Sequence, residues 1–205
     1  METTKSNTQN TEKTTFDTLT YTMKGKIVIL PQFIGSSNKK FNDVILADME
    51  LDASLEDTLG GYEYLFEGDD YYEELFNDDI FSDEMHGVLE LMKSYSKLMD
   101  ESNEDAGVNL MTMLFRIYQK TGNLKKRYYS TLNKLIATKN YAAEFFLALD
   151  WMLHSDKSWM DDYIVERGCS LMSELAQNGD WFAEMFYEYR EQEEEFEQML
   201  KEYAI

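Results

Sequence analysis

The chain has 205 residues, of which 43% are hydrophobic and 14% aromatic, and its formal net charge is −21. This apolar content suffices for a packed core and excludes a chain that is disordered throughout, while no apolar run approaches the roughly 20 residues that span a bilayer. The single cysteine, Cys169, excludes an internal disulfide, and the N-terminus lacks the apolar stretch of a secretory signal, so we expect a cytoplasmic protein without membrane contacts.

The N-terminal part is predicted to contain a flexible arm and a few short strands. Residues 1–17 are mostly small and polar and form the arm, and residues 18–60 form a β element. Two strands are expected within Thr18–Leu30, around a turn at Lys24-Gly25, with Pro31 ending the second. The stretch FNDVILADMEL, residues 41–51, is predicted as a third strand.

The remainder divides into an acidic-aromatic segment, residues 61–84, and a helical domain, residues 85–205. Six helices are expected, and Gly122 is expected to end one of them. One helix should carry an apolar face that consists of Leu124, Tyr128, Leu132, Leu135 and Ile136. The residues expected to cap helix N-termini are Ser82, Ser102, Asn140, Ser158 and Asp180.

These elements predict a mainly α fold with a small N-terminal β element of two or three short strands. The segments KNYAAEFF and GDWFAEMF lie 40 residues apart and each opens a helix after a polar break. Such spacing is typical of arrays of helical hairpins, although an ordinary helical bundle with similar caps is the favoured explanation. Both architectures remain open from the sequence.

Charge is distributed in blocks along the chain. Phe41 to Met92 holds seventeen acidic residues and no Lys or Arg, whereas Ala106 to Ala143 holds seven Lys or Arg and no acidic residue. Glu144 to Ile205 is acidic again, with sixteen acids and four bases. The first acidic block either covers the chain's own basic block or faces a basic partner, and internal neutralisation accounts for only part of so large an excess.

The segment Leu65–Glu84 combines nine carboxylates with aromatic and aliphatic side chains. If it is helical, Tyr72, Phe76 and Ile80 share one face and carboxylates line another. Their spacing is comparable to that of duplex phosphates, about one per 1.7 Å of axis. The predicted partner-binding residues are Glu67, Asp69, Asp70, Glu73, Glu74, Asp78, Asp79, Asp83 and Glu84.

Catalytic and cofactor motifs are missing from the sequence. There is no glycine-rich phosphate loop and no nucleophile elbow, and neither His86 nor His154 lies in a recognisable metal-site spacing. We therefore expect no enzymatic activity, no metal and no cofactor.

The basic block contains the second candidate site, a patch that faces either the chain's own acids or a partner. It consists of Lys125, Lys126, Arg127 and Lys134, interleaved with tyrosines. Direct binding of nucleic acid is not expected, because the net charge of the whole chain opposes the approach of a polyanion.

These features predict a non-enzymatic protein-binding module with a basic partner. The favoured version mimics nucleic-acid phosphates and inhibits a basic nucleic-acid-binding protein, such as a nuclease, in the manner of anti-defence proteins of phages and mobile elements. One alternative is a structural or assembly protein, for example of a virion, that docks through its N-terminal arm and strands. Another is an immunity protein or an adaptor.

Overall fold

The computed structural model describes residues 14–23, 26–59, 61, 65–66, 82–154 and 159–191. The strands are β1 (Thr14–Met23) and β2 (Lys26–Ser36), which form a two-stranded antiparallel sheet. The helices are α1 (Lys39–Leu59), α2 (Ser82–Asp100), α3 (Glu104–Thr121), α4 (Lys125–Ala137), α5 (Ala143–Met152), α6 (Trp159–Gln177) and α7, described over 181–191. The predicted mainly α fold with a small β element is confirmed.

The chain divides into two compact units. The first comprises the described residues up to Thr18 together with Pro31–Asn133, and the second comprises Leu19–Leu30 together with the described residues from Lys134 onward. The first unit contains α1, α2 and α3, and the second contains α5, α6 and α7.

β2 continues through Pro31 to Ser36, so the predicted end of the strand at Pro31 is wrong. Asn109 of α3 accepts a hydrogen bond from the Phe33 N–H at 2.8 Å and donates to the Phe33 carbonyl at 2.9 Å, while the Thr112 hydroxyl donates to the Pro31 carbonyl. Residues two apart direct their backbone groups to the same edge of a strand. A backbone N–H at position 31 would therefore point towards α3 and away from β1. Its absence in Pro31 removes no hydrogen bond from the ladder between β1 and β2.

The predicted third strand is also wrong, because residues 41–51 lie within helix α1. Asn38 caps this helix by accepting a hydrogen bond from the Phe41 N–H at 3.2 Å. The inward stripe of α1 consists of Phe41, Ile45, Asp48, Asp52 and Leu55, at the spacing of one helical face. Two aspartates lie on this inward stripe, and large apolar residues lie on the opposite face, so the hydrophobic periodicity of a helix is masked in the sequence.

α3 is the central helix of the first unit, and it is buried continuously from Ala106 to Ile117. Its N-cap is Asn103, which accepts from the Ala106 N–H at 2.9 Å, so the predicted cap at Ser102 is wrong by one residue. Ser102 has a left-handed backbone, with φ of 70°. The predicted end at Gly122 is confirmed: Gly122 has φ of 78° and donates its N–H to the Tyr118 carbonyl.

In the second unit, α6 packs directly on the backbone of α5. A Cβ added to Gly168 would lie 2.7 Å from the Met152 nitrogen and 2.9 Å from the Ala148 carbonyl oxygen, so only glycine permits this approach. The predicted cap of α7 is confirmed, because Asp180 accepts from the Ala183 N–H at 2.9 Å. The Asn140 side chain accepts from the Ala142 N–H just before α5 begins, and the predicted cap at Ser158 lies outside the described residues.

The apolar face predicted for α4 is buried at Tyr128, Leu132 and Leu135, whereas Ile136 is 43% exposed. In the first unit, Tyr128 stacks on Tyr118 with ring centroids 4.9 Å apart. A tyrosine buried in this way belongs to the core.

Candidate partner-binding surface

Most of the predicted acidic surface lies outside the described residues. This applies to Glu67, Asp69, Asp70, Glu73, Glu74, Asp78 and Asp79. The remaining two residues, Asp83 and Glu84, lie in the first turn of α2, where carboxylates interact favourably with the positive end of the helix dipole. Asp83 is exposed and Glu84 is half-buried.

The predicted basic patch lies on α4. Lys125, Lys126 and Arg127 form its first turn, and Lys134 lies near its end. Lys125, Lys126 and Lys134 are exposed, while Arg127 is half-buried. Lys134 belongs to the second unit by its chain contacts, whereas the other three belong to the first. The three neighbours lie in one turn of α4, but residues adjacent in a helix point in different directions and do not share one face.

One ion pair connects the acidic block with the basic block inside the first unit. Arg116 of α3 bonds Asp52 of α1 through both terminal nitrogens, at 2.9 and 3.2 Å. The Arg116 side chain is 3% exposed and that of Asp52 is 20% exposed. The chain's own acids therefore neutralise at least one residue of its basic block.

A chain of polar side chains connects β2, α3, α2 and α1 in the core of the first unit. Asn109, which holds β2 as described above, also donates to the Tyr95 hydroxyl at 3.3 Å, and this hydroxyl donates to Asp48 Oδ2 at 2.8 Å. Tyr95 is fully buried and Asp48 is 2% exposed. Among the described residues, Asp48 Oδ1 has no hydrogen-bond partner.

The pKa of Asp48 is raised to about 6: burial is the largest cause and the nearby carboxylate of Asp52 adds to it, while the hydrogen bond from Tyr95 and the charge of Arg116 oppose the shift. The pKa of Tyr95 is raised well above its usual value, first by burial and then by the negative charge of Asp48. Tyr95 therefore remains a hydrogen-bond donor at neutral pH. These contacts fix the rotation of α1 about its own axis.

This rotation turns an unusual face of α1 outward. Leu46 is 50% exposed and Met49 is 42% exposed, and exposed Ala53 continues the same stripe. Asp43 and Glu50 lie along one side of the stripe, two turns apart, and are exposed. Exposed Glu56 lies along the other side. We call these six residues the α1 outer face: an apolar stripe bordered by carboxylates.

The charges of α1 also oppose its helix dipole. Its first turn contains Lys39 and Lys40, and its last turn contains no basic residue but does contain Glu56. Each such charge is unfavourable by about 0.3–1 kcal/mol relative to the opposite arrangement. A local arrangement that lowers stability is expected where a surface is used for binding.

The α1 outer face could not be recognised from the predicted strand over residues 41–51, because a strand places these side chains on different faces. A usable signal was the spacing of Phe41, Ile45 and Leu55, which fits one helical face. Asp48 interrupts that pattern, and only its bond to Tyr95 explains an aspartate at that position.

Searches against protein-family models, curated proteins and solved structures gave no match to this chain. Within the described ranges, no cluster of three or more His, Cys, Asp or Glu side chains has a metal-binding arrangement. No helix in the described part of the chain is long and apolar enough to cross a bilayer.

Proposed function

We propose that this chain is a non-enzymatic protein-binding module that uses an acidic surface to bind a basic protein in the cytoplasm. In its specific form, the surface imitates nucleic-acid phosphates and inhibits a basic nucleic-acid-binding protein, as an anti-defence protein of a phage or mobile element does. The observation that carries the proposal is the block from Phe41 to Met92, with seventeen acids and no Lys or Arg. An immunity protein or adaptor would bind the same class of partner.

Exposed carboxylates in the described part of this block support the proposal. Asp43, Glu50 and Glu56 on α1 and Asp83 on α2 are all exposed. Asp52, in contrast, pairs with Arg116 inside the first unit. Internal pairing thus neutralises part of the block, whereas the exposed carboxylates are accessible to a cationic surface of another protein.

The test is a salt titration of the complex with the partner captured from the native host, with duplex DNA as a competitor. A phosphate mimic should lose affinity steeply as salt rises and should be displaced by DNA, because both occupy the same basic surface. Asp70→Asn with Glu74→Gln should weaken the complex about ten-fold at low salt.

The matched control is Glu184→Gln with Glu188→Gln, which removes the same charge at the same spacing from exposed positions on α7. Affinity should change little in this control. A complex that is insensitive to salt, or equal losses in both double variants, would contradict the proposal.

A second candidate, an assembly protein that docks through its strands, is favoured by one observation on the sheet. Side chains of α3 satisfy the outer edge of β2, whereas no third strand pairs with β1 among the described residues. The Thr18 N–H of β1 donates to the Asp17 side chain at 2.8 Å, which places it on the edge away from β2. An added strand could bind that edge.

Thr18→Pro tests this candidate, since it removes a donor from the outer edge of β1 and leaves the pairing with β2 in place. Assembly with a partner should fall while the unfolding midpoint stays near that of the wild type. Undiminished assembly would exclude β1 as the docking edge.

A further inference from the structure

We infer that the α1 outer face is the docking surface for an amphipathic helix of the partner, one whose apolar stripe is bordered by Lys or Arg. This inference rests on the proposed function and specifies where and how the basic partner binds. It adds an apolar component to a contact that phosphate mimicry alone would make purely electrostatic.

The composition of the face identifies the kind of occupant. Leu46 and Met49 are one turn apart, and methionine is a flexible side chain that adapts to different partner shapes. A helix laid along them buries both through anchors spaced by one turn. Asp43 and Glu50 on one side and Glu56 on the other would then meet the border residues of that helix, and only cationic border residues complement them.

Charge also argues against two other occupants. A second copy of this chain would bring identical carboxylates together across a symmetric interface, between molecules that each carry −21. The chain's own segment Leu65–Glu84 has apolar side chains but also nine carboxylates and no base. Like charges at the border disfavour both, so a foreign basic helix is the occupant that fits.

The packing beneath α1 supports a binding role because it presents this face in one orientation. The Tyr95 hydroxyl bonds Asp48, and Arg116 bonds Asp52, on the inward stripe of the same helix. A preorganised helix loses little conformational freedom when a partner binds. The outer face is thus held rigidly and remains exposed.

The experiment measures binding of a labelled 18-residue peptide made of leucine and lysine, with its leucines on one helical face, to the full chain. A scrambled peptide of the same composition is the control ligand. The wild-type chain should bind the amphipathic peptide about ten-fold or more tightly than the scrambled one, because only the former can bury an apolar stripe.

Leu46→Ser with Met49→Ser should weaken binding of the amphipathic peptide about ten-fold or more. Ile136→Ser on α4 is the matched control, since Ile136 is 43% exposed and lies on another helix, and it should leave binding unchanged. Asp43→Asn with Glu50→Gln should weaken binding at low salt, with a smaller effect at high salt. The unfolding midpoint of each variant is measured to establish that all remain folded.

Equal binding of both peptides, or no loss in the Leu46 and Met49 variant, overturns the inference. Self-association of the wild type that disappears in this variant, detected by light scattering, overturns it in favour of a second copy. A native complex that is steeply salt-dependent but insensitive to Leu46 and Met49 leaves the proposed function standing and refutes only this docking surface. A salt-insensitive native complex refutes the proposed function itself.

Discussion

Replacing Asp48 by asparagine should change how the stability of the protein depends on pH. The variant keeps the size of the side chain and an oxygen that can accept the Tyr95 hydrogen bond, but it has no proton to bind. Because burial raises the folded-state pKa of Asp48 from 3.8 to about 6, the folded wild type binds this proton more tightly than the unfolded chain does. Protonation of Asp48 therefore stabilises the wild type as pH falls.

The stabilisation is fully present below the unfolded pKa and is lost as pH rises through the folded pKa. A shift from 3.8 to about 6 corresponds to about 3 kcal/mol over the complete titration. Between about pH 5 and about pH 8 the free energy of unfolding of the wild type should fall by about 1.4 kcal/mol because of this one group. The asparagine variant should not show that loss.

Near pH 8 the two proteins should have similar stability. The variant avoids the cost of the buried charge, but its amide N–H₂ has no acceptor at the position of Asp48 Oδ1 among the described residues, which costs about 1–3 kcal/mol. Towards pH 5 the wild type should become more stable than the variant, and the difference between the proteins should grow by about 1.4 kcal/mol.

Urea unfolding, followed by far-ultraviolet circular dichroism at several pH values, measures this difference. Asp43→Asn provides the control, because it removes an exposed carboxylate from the same helix and leaves the buried bond between Asp48 and Tyr95 in place. If the difference in free energy of unfolding between the wild type and Asp48→Asn stays constant with pH, or grows towards pH 8, the expected protonation of Asp48 in the folded protein is refuted.

Four further variants test contacts inside the units. Asp52→Asn removes the carboxylate that binds the buried guanidinium of Arg116 and should lower the free energy of unfolding by about 3 kcal/mol. The double variant Asp52→Leu with Arg116→Met should recover much of that loss. Urea unfolding measures both. Gly168→Ala forces a Cβ against backbone atoms of α5 and should destabilise the protein by about 1–3 kcal/mol. Gly87→Ala places its Cβ 3.2 Å from the movable side chain of Leu51 and should be neutral or slightly stabilising, because alanine favours a helix over glycine by about 1 kcal/mol. Equal thermal shifts in the two glycine variants would contradict the distinction between backbone and side-chain contact.

The sequence predicts elements whose signals are local. Gly122 ends α3, and Asp180 caps α7, because each position depends on the backbone of a few neighbouring residues. The mainly α fold follows from the helical periodicity after Ser82. Local chemistry of this kind can be interpreted before any tertiary contact is known.

Elements that depend on distant partners could not be predicted in this way. β2 continues past Pro31 only because residues of α3 bond its outer edge, and α1 tolerates Asp48 on its buried face only because Tyr95 of α2 bonds it. The candidate docking face was missed for the same reason, since its exposure follows from the inward stripe opposite it. The spacing of Phe41, Ile45 and Leu55 indicates a helix, but no short-range pattern shows that Asp48 belongs to its buried face.

The closure of the β2 edge by α3 has a consequence for folding during synthesis. Asn109 lies 76 residues after Phe33, and Thr112 lies 81 residues after Pro31, so the ribosome releases the hairpin well before the helix that completes it. At roughly 5–20 residues per second, this interval lasts several seconds, far longer than the microseconds in which a hairpin forms. Throughout that time the outer edge of β2 offers unpaired backbone groups to any neighbouring chain, and truncation before α3 should therefore yield an aggregation-prone fragment.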